Sequence, residues 1–353
     1  VNERAIRHLY VRAPNWVGDL VMSTPVLEAA VAGIDAGRFE RVSIGLRGHL
    51  LGVLAQGRLE RHCVPLGHGP KGESEAAALG RLRPDAALLL SNSFGAAWRA
   101  FRAGVPLRFG SALSGRRALL THSVVPPTSD GRRAPTPTAH LLRDVAGLAG
   151  ILVPDLHPRL EVSRAAREAL SAQLSELGLG RGEAYALCCP GAAFGAAKLW
   201  PPEHFAQVLD GAAESFGWRA VVAGGPGEEA LMDRVAECTR HGAISLSRVH
   251  RDLEGLKALV AGASVLVVGD SGPRWYAAAF DVPCVSVMGP NFPELTASSL
   301  EFAEVVRLEG LECAPCLERV CPLGHHRCMR ELSPERVVSA MRRVLARRAS
   351  EGP

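Results

Sequence analysis

Apolar positions along this chain of 353 residues fall into short runs rich in Val, Ile and Leu, separated by stretches with helical spacing. The runs at Ile6–Arg12, Val42–Gly45, Ala86–Leu90, Ala184–Cys188, Ala220–Ala223, Val265–Val268 and Val285–Val287 predict strands. The stretches at Leu20–Ala32, His204–Phe216, Glu228–Thr239 and Leu253–Ala261 predict amphipathic helices. Near-continuous apolar runs suit strands covered on both faces, and their alternation with helices argues for parallel sheets. The expected fold class is therefore α/β, with two doubly wound Rossmann-like domains facing across a cleft. The sequence ILVPDLHPRLEV at 151–162 carries two prolines and no helical period, and a new helical pattern starts at Arg164. A break there predicts domains at 1–155 and 156–353. The segment Pro126–Pro137, rich in Pro, Thr and Arg, is expected to be an exposed loop. The last helix, Pro334–Arg348, ends in arginines and could cross back to the first domain or face anionic lipid.

Composition changes this picture in three ways. Hydrophobic residues at 47% and charged residues at 22% belong to a globular chain long enough for two cores. The formal charge is only +4, yet just three of the 40 basic residues are lysine: Lys71, Lys198 and Lys257. A guanidinium-rich surface suits phosphate-bearing partners, because arginine pairs bidentately with phosphate oxygens. Nucleic acid is not expected, since no zinc-finger spacing, helix-turn-helix signal or aromatic–basic motif is present. No apolar stretch reaches membrane-helix length and the N-terminus has no signal-peptide pattern, so a cytoplasmic location with reduced cysteines is expected.

Three turns carry candidate chemistry. The first, APNWVGD at 13–19, joins a strand to a helix; Gly18 permits close backbone approach, and Asp19 could cap the helix or act as a general base. The second, PGAAFGAAKLWPP at 190–202, is rich in small residues that let amides approach a phosphate. Lys198 offers it a compact ammonium, or is simply an exposed lysine on a loop. The third, VVGDSGPRWYAAAF at 267–280, runs from a strand through Asp270, Ser271 and Gly272 into a helix that Pro273 can begin, a pattern suited to binding an anion or sugar. A fourth feature places Cys313, Cys316, Cys321 and Cys328 within sixteen residues, with His325 and His326 between the last two. Four thiols at this spacing could close a zinc site or hold an iron–sulfur cluster; a thiol-packed loop or a local disulfide are the alternatives. No second CxxC repeats the first, so the cluster is assigned a structural role and no metal.

Together and in this order, NWVGDLVMSTPVL at 15–27, SNSFGAAWRAFRAGVPLRFG at 91–110, RALLTHSV at 117–124, PGAAFGAAKLWPPEHF at 190–205, GDSGP at 269–273 and CAPCLERVCPLGHHRCM at 313–329 resemble the ADP-heptose:lipopolysaccharide heptosyltransferases, GT-B glycosyltransferases of the heptosyltransferase II type. The resemblance reaches nearly the whole chain. It implies an acceptor sugar on the lipid A–core precursor bound by the N-terminal domain, and ADP-L-glycero-β-D-manno-heptose bound mainly by the C-terminal one. It implies Asp19 as general base, Lys198 near the diphosphate, Glu228 at the nucleoside, and Asp270, Ser271 and Gly272 at the phosphate-binding helix start. No cofactor and no catalytic metal are implied. The expected reaction is an inverting displacement at the anomeric carbon, with domain closure excluding water.

One position departs from the family pattern. Three residues after Gly272 the family usually has histidine, and this chain has Trp275, which brings an N–H and a large face but no titratable group. If Trp275 merely substitutes for the imidazole, the expected case, Trp275→His raises donor affinity or turnover; if the cleft is repacked around the larger ring, histidine leaves a void and lowers stability and activity together. The rival function is a non-catalytic nucleotide-sugar-binding protein derived from this fold; Asp19 and Lys198 argue against it. A nicotinamide oxidoreductase fits less well, because no G-x-G-x-x-G follows the first strand.

Overall fold

A computed structural model describes residues 6–67, 73–129, 132–249 and 252–351. Lys71 lies outside the described residues. The chain forms two compact units, Val1–Glu161 with Glu294–Ser298, and Val162–Pro293 with Ser299–Pro353.

The first unit is built on six parallel strands: β1 (His8–Arg12), β2 (Arg41–Arg47), β3 (Cys63–Leu66), β4 (Ala86–Leu89), β5 (Leu107–Ser111) and β6 (His122–Val124). Their order is β3-β2-β1-β4-β5-β6. Leu9 of β1 sits opposite Val42 on one side and Ala86 on the other. The expected loop at 126–137 carries a two-residue antiparallel ladder, β7 (Thr128–Ser129) with β8 (Arg132–Arg133). The second unit repeats the plan with β9 (Tyr185–Cys189), β10 (Arg219–Val222), β11 (Ala243–Ser245), β12 (Val265–Gly269), β13 (Cys284–Val287) and β14 (Ala303–Val306). Its order is β11-β10-β9-β12-β13-β14, again parallel. Every residue of β9, β12 and β13 is buried, which is why these strands read as largely apolar runs.

In each sheet the chain turns back at the centre, between β1 and β4 and between β9 and β12. Helices that leave on opposite faces there open a crevice at the carboxyl ends of the strands, the place where such sheets take ligands.

The helices of the first unit are α1 (Val17–Met22), α2 (Thr24–Asp35), α3 (Leu51–Leu54), α4 (Glu75–Leu82), α5 (Phe94–Arg102) and α6 (Thr138–Leu148). Those of the second are α7 (Arg164–Glu176), α8 (Pro202–Phe216), α9 (Glu229–Cys238), α10 (Leu253–Ala261), α11 (Pro273–Ala279), α12 (Arg327–Arg330) and α13 (Pro334–Ser350). The single helix expected at 20–32 is two, broken at Ser23. There the hydroxyls of Ser23 and Thr24 donate back to the carbonyls of Leu20 and Val21, and Pro25 lacks an amide to continue the ladder. Side-chain caps start other helices: Ser93 for α5, Ser163 for α7 and Asp252 for α10 each accept from a backbone amide.

The core of the second unit gathers Trp200, Phe205, Val208, Val285, Leu332 and Met341. The last helix, α13, belongs to this core and buries Val337, Ala340, Met341 and Val344 on one face. Its other face keeps arginines in water, with Arg343 paired to Glu304. Among the described residues, no helix is long and apolar enough to cross a membrane.

Candidate active site

The first unit places the APNWVGD turn at the carboxyl end of β1. Trp16 is the N-cap of α1 and makes no side-chain cap bond; Asp19 lies in the first turn, partly buried, with Gly18 buried beside it. Asp19 is therefore not the capping residue, and its negative charge sits at the end of the helix where the backbone dipole favours it.

The frame that holds this turn went unseen in the sequence. Arg12, only 2% exposed, sets its Nε 3.1 Å from Glu75 and donates through Nη2 to Asn15 at 2.7 Å. Asn15 in turn donates to the Ser91 hydroxyl at 3.3 Å, tying the turn after β1 to the segment after β4. On the far side of that segment Arg116 is fully buried. It donates to the carbonyls of Leu89 at 3.3 Å and Ser111 at 3.0 Å, and to that of Ser91. Burial pushes its guanidinium down to about 10, which still leaves it charged at neutral pH. Buried arginines of this kind hold loop carbonyls that no strand can pair.

In the second unit the remaining candidates collect at the carboxyl edge of β9, β10 and β12. Trp200 anchors the loop after β9: its ring is buried, packs edge-on against Phe205, and its indole N–H donates to the Leu332 carbonyl at 3.1 Å. A single 3-10 turn at Ala196–Lys198 then carries Lys198 across to the start of α11. Its ammonium sits 2.5 Å from the Asp270 carboxylate, donates to the Asp270 carbonyl at 3.4 Å, and lies 4.6 Å from the centre of the Phe194 ring. Asn291 donates to the same carboxylate at 2.9 Å. The Ser271 hydroxyl is buried beside this pair and finds no hydrogen-bond partner among the described residues. A buried hydroxyl left so costs about 1–3 kcal/mol, the kind of cost a binding site carries until a ligand accepts from it.

Glu228 is the N-cap residue of α9, one position before the helix. It accepts from the Gly225 amide at 2.8 Å. Its carboxylate also lies against Gly191, where a Cβ would come within 2.1 Å of all three carboxyl atoms, so only glycine fits. Burial raises the Glu228 carboxyl above the usual range, opposed by the Gly225 amide and reinforced by Glu229. The carboxyl thus stands between the turns that follow β9 and β10.

Trp275 on α11 is 5% exposed, with Arg274 lying 4.8 Å from the centre of its ring. A ring this buried is part of the packed interior. The gain expected of Trp275→His from sequence gives way to a loss: the smaller ring is expected to cost about 2–3 kcal/mol and lower activity with it. Thermal unfolding and turnover, measured side by side, check this. A rise in donor affinity at unchanged melting temperature would show that the indole ring is not needed for packing.

The structure thus brings Lys198, Glu228, Asp270, Ser271 and Gly272 to one sheet edge of the second unit, and places Gly18 and Asp19 at the matching edge of the first. An ammonium paired to a carboxylate and a hydroxyl without a partner among the described residues thus stand together at the switch point of the second sheet. A carboxylate at a helix start is able to accept a proton from a hydroxyl.

Comparison with known proteins bears on the family and the fold. The family described as "Glycosyltransferase family 9 (heptosyltransferase)" matches residues 75–327. The chain is 30% identical over 159 residues to lipooligosaccharide heptosyltransferase 2 of Campylobacter jejuni, an alignment covering 44% of this chain and about half (49%) of that relative's length. It is 27% identical to lipopolysaccharide heptosyltransferase 2 of Salmonella typhimurium, covering 96% of this chain and 98% of that one. Among solved structures, E. coli ADP-heptose lps heptosyltransferase II superposes with a TM-score of 0.73 at 23% identity, covering 97% and 99% of the two chains. The expectation of two doubly wound α/β units is borne out by the two six-stranded parallel sheets and by this fold match. With the family match spanning well over half of its length, the chain belongs to glycosyltransferase family 9, the heptosyltransferases, and is a glycosyltransferase.

Proposed function

We propose that this enzyme transfers heptose, with inversion, from ADP-L-glycero-β-D-manno-heptose to the inner core of lipopolysaccharide on its lipid A anchor. The observation that carries the donor half is the meeting of Lys198, Asp270 and the unspent Ser271 hydroxyl at the carboxyl edge of the second sheet. A diphosphate there takes the ammonium and the hydroxyl, and the same groups stabilise the charge that grows on ADP as it leaves. Glu228 accepts from hydroxyls of the nucleoside. Asp19 takes the proton of the acceptor hydroxyl as it attacks the anomeric carbon. The chemistry needs no redox step and no cofactor. The relatives named for lipopolysaccharide and lipooligosaccharide heptosyltransfer support the choice of substrates.

The acceptor is a lipid, so the enzyme works as a peripheral protein on the cytoplasmic face of the inner membrane. The exposed aromatics of α5 support this: Phe94, Trp98 and Phe101 face water, with Arg102 and Arg108 lying over two of the rings. Such an aromatic and arginine surface suits an anionic interface.

Calorimetry with ADP, UDP and NAD tests the donor site. ADP is expected to bind most tightly, and the Glu228→Gln variant to bind it roughly tenfold more weakly, the usual worth of a charged hydrogen bond. The same variant has a pH signature. The folded carboxyl is held above its unfolded value, so its contribution to stability is full at low pH and is lost as pH rises through the folded pKa. The glutamine variant is therefore expected to match or slightly exceed the parent in stability at neutral pH, with the difference closing near pH ~4. Equal affinity of parent and variant for ADP removes Glu228 from the nucleoside site; tighter binding of UDP or NAD overturns the donor assignment.

A further inference from the structure

The cysteine-rich loop before α12 is absorbed by none of the chemistry above. Cys313, Cys316, Cys321 and Cys328 all line one small, partly open cavity of about 20 Å³. That is room for one atom-sized occupant. All four are thiols, and each is partly buried.

The turn Cys321–Gly324 is folded around its sulfur. The His326 amide donates to Cys321 Sγ at 3.4 Å, and the amides of Leu323, Gly324 and His325 crowd the same atom. Amides aimed at a sulfur neutralise the charge of a thiolate, the form in which cysteine binds metal.

The two histidines are already committed. His325 Nδ1 accepts from the Arg327 amide at 3.1 Å, which puts its proton on Nε2, 4.0 Å from Cys313 Sγ. His326 Nε2 lies 2.9 Å from the Ala197 carbonyl, and only a protonated nitrogen can serve there. His325 is thereby turned away as a ligand, and His326 keeps only its Nδ1 lone pair. The four sulfurs that line the cavity are the donor set taken here.

We propose that this cavity holds one structural zinc or iron ion on the thiolates of Cys313, Cys316, Cys321 and Cys328, which lose their protons to solvent as the ion binds. Among the described residues no three His, Cys, Asp or Glu side chains already stand at ligating spacing, so the thiols turn inward to close on the ion at about 2.3 Å. The ion acts on the donor loop from behind. The Arg319 carbonyl accepts from the Ala197 amide at 3.0 Å, and His326 holds the Ala197 carbonyl, so the closed cysteine loop fixes the residue next to Lys198. This last consequence rests on the donor-site reading; the ion itself does not.

Elemental analysis of the full chain, purified without chelator, tests the site. About one equivalent of zinc or iron per chain is expected, with the element read directly, and Cys321→Ser is expected to lower it at least about tenfold. Cys238→Ser, which removes a thiol outside the loop, is expected to keep the full equivalent. Should Cys321→Ser fail to fold, cobalt(II) exchanged into the parent still reports the site, through thiolate-to-cobalt charge transfer and intense tetrahedral ligand-field bands. Metal below about a tenth of an equivalent, with no such cobalt spectrum, overturns the proposal; so does a parent mass short by two hydrogens per cysteine pair, which marks a disulfide instead. If the ion is present but its removal leaves ADP affinity unchanged, the site stands and its link to Lys198 falls.

Discussion

Asp19→Asn is expected to fold as the parent does, bind ADP equally well, and turn over about two to four orders of magnitude more slowly, the usual contribution of a general base. The amide keeps the size and shape of the carboxylate but cannot take a proton at neutral pH. Position in the first turn of α1 makes the test clean, because Trp16 and not Asp19 occupies the cap and the helix does not depend on this side chain as its N-cap. Loss of a negative charge near the start of a helix typically costs about 0.3–2 kcal/mol, short of unfolding. With the donor groups proposed in the other unit, donor affinity is expected to stay unchanged. Near-parental turnover would show that Asp19 serves the local structure and not the proton transfer.

Lys198→Ala is expected to weaken ADP-heptose binding and slow the chemical step together, by about one to three orders of magnitude in kcat/KM, because a diphosphate charge contact acts in both states. The structure adds a second effect. Lys198 and Asp270 form a pair whose side chains are only 11% and 10% exposed, so truncating the lysine leaves a largely buried carboxylate with Asn291 as its remaining donor. Breaking such a pair from one side typically costs about 3–5 kcal/mol, so the variant is expected to melt lower as well. The double variant Lys198→Ala with Asp270→Ala separates the two effects. It is expected to recover much of the stability and none of the activity. Recovery of activity with stability would assign the pair a packing role only.

The Lys198–Asp270 pair also shows what a linear reading misses. Lys198 was legible as a lysine in a chain that otherwise uses arginine, and Asp270 as part of a strand–DSGP–helix pattern. That one neutralises the other needed the fold, which sets them 72 positions apart in sequence and 2.5 Å apart in space. The strands nearest the sheet centres were legible because burial on both faces leaves mostly apolar side chains. β3, β5, β6, β11 and β14 were not, since each has half-exposed positions and a mixed composition. Arg12, Glu75 and Arg116 were invisible for a plainer reason: a charged residue read alone is assigned to the surface, and only its partners reveal that it is buried. The cysteine spacing was legible, but its convergence was not. A turn through Gly324 and the left-handed backbone of His326 (φ 52°) set the path from Cys321 to Cys328, and neither is encoded in the spacing.

The central claim is the transfer itself, and mass spectrometry of the acceptor measures it most directly. Incubated with ADP-L-glycero-β-D-manno-heptose and a truncated lipid A–core acceptor, the enzyme is expected to add one heptosyl residue and release one ADP for each transfer. Asp19→Asn is expected to bind the donor without adding the sugar. An acceptor that stays unchanged while ADP still binds tightly would contradict heptose transfer and leave a nucleotide-sugar-binding protein in its place.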